Sequence, residues 1–64
     1  MGSKRDAVNE IHKSATTAHV AEAARAALKD GSDAALTRAL VTAREDGVTA
    51  HVVETANKAL GFEK

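Results

Sequence analysis

Thr17-Ala18-His19-Val20-Ala21-Glu22-Ala23-Ala24-Arg25-Ala26-Ala27-Leu28 and Thr49-Ala50-His51-Val52-Val53-Glu54-Thr55-Ala56-Asn57-Lys58-Ala59-Leu60 agree at eight of twelve positions, 32 residues apart in a chain of 64. A spacing of this size is that of a helical hairpin, so the chain reads as one unit written twice. The apolar positions inside both stretches recur every three or four residues, which is the period of a helix face and not of a strand.

Working outward, the same period predicts four helices: about 4–14, 17–29, 33–45 and 49–60. Their apolar faces are Ala7, Val8, Ile11 and Ala15; Val20, Ala23, Ala24, Ala27 and Leu28; Leu36, Ala39, Leu40 and Ala43; and Val52, Thr55, Ala56, Ala59 and Leu60. Shifting Lys4, Ala7, Val8 and Ile11 by one unit gives Leu36, Ala39, Leu40 and Ala43, so the face is kept where identity is weak. Ser3 and Ser32 precede helices as side-chain caps, with Asp6 three residues after Ser3. Proline is absent, and Gly31, Gly47 and Gly61 fall at helix ends, where a residue with φ > 0 is expected. Phe62 is placed to fold back onto Ala56 as a hydrophobic closure of the last helix.

The expected fold is therefore all-α: four short helices as two tandem helical hairpins. They form one small domain over 1–64, with units of about 1–32 and 33–64. Fifteen residues are alanine, and Phe62 is the sole aromatic. A core this small lies near the balance point between burial and ordering entropy. With no cysteine to staple it, oligomerisation is the expected aid, and the predicted assembly is a homo-oligomer.

Nine Lys and Arg cancel nine Asp and Glu. A neutral chain has no net field to draw it to nucleic acid or anionic lipid. No apolar run approaches the roughly 20 residues that span a bilayer. The first residues, Met-Gly-Ser-Lys-Arg-Asp, lack the apolar stretch of a signal peptide. These features and the missing cysteines predict a cytoplasmic protein without membrane contact.

Thr42 to Val53 carries the spacing of a helix-turn-helix, with Ala43 in the first helix, Gly47 at the turn, Val48 after it and Val53 six past the glycine. On that reading Thr49, Ala50, His51 and Thr55 lie toward base edges. Against it stand Asp46 before the glycine, Glu54 on the outward face and the missing basic patch. His19 with Glu22, and His51 with Glu54, form a doubled His-x-x-Glu, so two helices supply four potential metal ligands; the solvated first turns in which the histidines lie favour a polar face instead. His12 borders the apolar face of the first helix and is expected there with one hydrogen bond. No nucleophile elbow, phosphate loop or paired-carboxylate frame is present. No catalytic, cofactor-binding or metal residue is assigned, and the chain is expected not to be an enzyme.

Residues 20–40, with Ala23-Ala24, Ala27-Leu28, Gly31-Ser32-Asp33 and Arg38-Ala39, resemble the Ala-Leu-Phe (ALF) short repeats of actinobacterial proteins. Leu40 stands where those repeats have Phe, and one extra residue precedes Gly31. The resemblance covers about a third of the chain and implies a helical interaction array without a catalytic site. Val41 and Val53 lie off the stripes of their helices. With Phe62 they are the candidate contacts for a protein partner, either a second copy or a larger protein. Protein–protein interaction is thus the expected function, and DNA binding through residues 42–60 is the second reading.

Overall fold

The computed structural model describes residues 4–61. Among these the chain is all-α: α1 Lys4–Ser14, α2 Ala18–Asp30, α3 Asp33–Asp46 and α4 Ala50–Leu60. Ser32 Oγ accepts from the Ala35 backbone N–H at 3.2 Å, and Thr49 Oγ1 accepts from that of Val52 at 3.4 Å. Thr17 stands at the equivalent point before α2 with extended backbone and no side-chain cap bond. Both threonines therefore precede their helices instead of opening them, because an N-cap has extended φ and ψ. Gly31 and Gly61 end α2 and α4 with φ of 77° and 85°, and the Gly31 N–H reaches Ala27 O at 2.8 Å. The expected cap Ser3 and the Phe62 closure lie outside the described residues.

Gly47 corrects the expectation that every helix-ending glycine is left-handed. Its φ is −67° and its ψ 138°, a conformation open to any residue. Glycine is needed there for space. A Cβ would collide with the carbonyl oxygen of Ala43 and stand 3.1 Å from Val52 Cγ1 and 3.0 Å from Val53 Cγ2. The missing side chain lets α4 turn back across the end of α3.

α1 and α3 each touch all three other helices, while α2 and α4 flank them without touching each other. The first helix packs on the last, so the body closes on itself. Its radius of gyration is 9.9 Å, against about 10.7 Å for an average globular chain of this length. The two units thus form one clasped helical bundle, not an open stack with bare ends.

The duplication reappears in the core. Val8 and Leu40, Ile11 and Ala43, Val20 and Val52, and Ala24 and Ala56 are pairs one unit apart, and all eight side chains are at most 2% exposed. Leu36, Ala39 and Ala27 complete the buried set, and Leu28 and Leu60 pack half-buried against it. Fully burying each larger side chain contributes roughly 1.5–3 kcal/mol. An exposed ion pair such as Lys4–Asp33, 3.2 Å apart, contributes about 0–1 kcal/mol. The apolar stripes therefore hold the fold.

Two substitutions test this packing. Gly47→Ala should lower unfolding free energy by about 3 kcal/mol through overpacking, whereas Gly61→Ala, with open space around it, should lose only about 1 kcal/mol from its positive φ. Equal losses in urea denaturation would contradict the steric account. Asn57 Oδ1 is buried without a hydrogen-bond partner. Replacing it by alanine removes an uncompensated acceptor and improves helix propensity, so Asn57→Ala should stabilise by about 1 kcal/mol in the same assay.

Candidate interaction surface

No polar or charged residue is buried as a whole in the described part of the chain. The helix N-termini at Thr17 and Thr49 put His19 and His51 in the first turns of α2 and α4. His51 Nε2 lies 3.1 Å from Glu10 Oε2 on α1, and Ser14 Oγ donates to the same oxygen at 3.2 Å. His19 Nε2 lies 3.1 Å from Asp46 Oδ2 on α3. Each histidine belongs to the second helix of one unit and reaches the first helix of the other.

The two histidines of the doubled His-x-x-Glu thus each bridge to the other unit. Glu22, the i+3 neighbour of His19, faces Arg25 instead, at 3.9 Å. Sequence spacing could not reveal these partners, because Glu10 and Asp46 are 41 and 27 residues away along the chain. Among the described residues no group of three His, Cys, Asp or Glu converges. His12 is exposed.

The Glu10 carboxyl is held below its ordinary pKa. The largest cause is its hydrogen bond with His51, followed by the one from Ser14. Three of the four residues named for DNA contact make hydrogen bonds within the chain. His51 faces a carboxylate, Thr49 caps α4, and Thr55 Oγ1 donates to the His51 carbonyl at 2.7 Å. Ala50 is exposed.

The candidate protein contacts separate. Val41 is 37% exposed on the outer side of α3. Val53 is half-buried beside Gly47, because the close crossing of α3 and α4 draws it inward. Phe62 lies outside the described residues. Val48, read from the sequence only as the apolar residue of a helix-turn-helix, is 69% exposed. The signal for it was available: one valine in a three-residue turn has few neighbours that can cover it. At the same positions one unit earlier stand Asn9 and Thr16, both exposed.

A shallow open groove of about 370 Å³ runs between the end of α2 and the start of α3, lined by Ala26, Asp30, Ser32, Ala34, Ala35 and Arg38. Its Asp30 carboxylate accepts from Ser32 Oγ. No helix among the described residues is long and apolar enough to cross a membrane. No family model matches the chain, and no curated protein and no solved structure matches it either.

The Glu10 contact has a pH signature. Its folded pKa is lowered, so the folded chain keeps Glu10 ionised where the unfolded chain takes up a proton. The resulting stability is present above the ordinary value of 4.5 and is lost as pH falls through the lowered folded value. Denaturation midpoints from pH 7 to pH 3 should fall less steeply for Glu10→Gln than for the parent. Parallel curves would show that the bridge carries no linkage.

Proposed function

We propose that the protein is a small helical interaction module, not an enzyme, which docks a protein partner on the solvent side of its second unit. The observation that carries this is an internal contrast. Val41 and Val48 are the large apolar side chains left exposed among the described residues, and the equivalent positions of the first unit hold Asn9 and Thr16. The same backbone position accepts a polar residue in one copy, so the fold does not require valine in the other. Apolar side chains left in water where the other unit carries polar ones are what supports a contact surface here.

The resemblance of residues 20–40 to Ala-Leu-Phe repeats supports the same reading, since it implies interaction without catalysis. The partner is either a second copy or a larger protein. We place the module in the cytoplasm, where a chain without cysteine loses nothing to reducing conditions. DNA binding is the weaker reading, because Glu10 and Glu54 would face phosphate on the side of α4 that carries His51.

The test is an immobilised full chain challenged with cytoplasmic extract to which free chain has been added. The parent should retain a specific protein species. The double variant Val41→Asn and Val48→Thr, which gives the second unit the residues of the first, should bind it at least about tenfold more weakly. Helical circular dichroism and melting should not change. Equal retention by both forms would refute the proposal.

A further inference from the structure

We propose that two copies of this chain exchange units by opening the α2–α3 link, so that the first unit of each copy packs on the second unit of the other. This uses the buried faces and is independent of the docking reading above. The contacts between the units are reciprocal: α2 packs on α3, α4 packs on α1, and α1 packs on α3. Interchanging the units turns the first contact into the second and the third into itself. The bridges follow the same rule, with His19 reaching α3 and His51 reaching α1. One chain is thus built like a pair of like subunits joined at residues 31–32. Val8, Val20 and Ala24 of the first unit share one buried cluster with Leu40, Val52 and Ala56 of the second, and one helical repeat cannot cover such a face alone. A second copy offers the identical faces, so every contact between units can reform between chains.

The closed and exchanged forms then differ at the link, where two residues serve the closed form. Gly31 ends α2 with φ of 77°, and Ser32 caps α3 by accepting from the Ala35 N–H at 3.2 Å. Ala26, Ala27 and Leu28 stand on one side and Ala34, Ala35 and Leu36 on the other, all strong helix formers. Without the glycine and the cap, α2 would run on into α3, and a straight helix holds the two units of one chain apart. A Cβ at residue 31 would meet only Arg5 Nη1, at 3.9 Å, so the bend needs glycine for its φ and not for space. Short hinges of this kind invite exchange between copies. The link favours the closed monomer, because joined units meet at an effective concentration of about millimolar. Exchange therefore competes when the chain folds at a similar concentration. An exchanged dimer carries the exposed Val41 and Val48 twice.

The test is to unfold the full chain in urea, refold it at ~10 μM and at ~1 mM, and read the mass by size exclusion with light scattering. The parent should be monomeric after dilute refolding and partly dimeric after concentrated refolding. The double variant Gly31→Ala and Ser32→Ala should raise the dimer-to-monomer ratio at least about tenfold, since it strains the closed bend and removes the cap. Inserting Gly-Ser-Gly-Ser after Gly31 should abolish the dimer, because a longer link closes without a sharp bend. Exchange is told from side-by-side association by refolding a Glu10→Cys chain together with a His51→Cys chain and adding a short bismaleimide. A 10–51 link between chains requires α1 of one copy on α4 of the other. It should form after concentrated refolding together and not on mixing the folded chains. A parent that refolds only to monomer overturns the proposal, as does a dimer without the 10–51 link. So does an insertion variant as dimeric as the parent. Val41→Asn with Val48→Thr should leave the dimer ratio unchanged, so the docking surface and the exchange fail or stand separately; loss of the dimer in that variant would count against exchange.

Discussion

Small side chains at the helix contacts constrain everything else in this molecule. Ala24, Ala27, Ala39, Ala43 and Ala56 are buried at the places where larger residues would hold helices apart, so the backbones approach closely. At Gly47 even a methyl group is too much, and the α3–α4 crossing depends on that single absence. The body is consequently thin, 17 Å in its shortest dimension. Among the described residues six larger side chains carry the apolar burial, and no charged residue is buried.

A thin, closed core divides the chain's residues into two populations with different rules. Buried positions answer to volume and are kept between the two units, although identities drift: Ile11 corresponds to Ala43 and Val8 to Leu40. Exposed positions are released from that demand: some are identical in the two units, as His19 and His51 or Glu22 and Glu54, and others differ. Asn9 against Val41 and Thr16 against Val48 are divergences that packing does not demand.

The two histidine bridges belong to a third category. They lie on the surface, with His19 and His51 side chains 72% and 60% exposed. Each ties an α2 or α4 N-terminus to the opposite unit, α2 to α3 in one case and α4 to α1 in the other. Solvent screens such pairs strongly, so they add little to stability.

Helix number, helix ends and the apolar faces were legible in the sequence, because each depends on neighbours within four residues. Leu36, Ala39, Leu40 and Ala43 were readable as one stripe from period alone, and all four are buried. The repeat of 32 residues fixed which positions correspond. What only the tertiary structure decided were relations across the chain: that His51 meets Glu10 and not Glu54, that Gly47 is required for space and not for a positive φ, that Val53 turns inward while Val48 remains in water. Local spacing constrains a face, but it cannot say which helix comes to lie against that face. That choice is made by volume and by closure of α1 onto α4, which the chain settles only when all four helices pack at once.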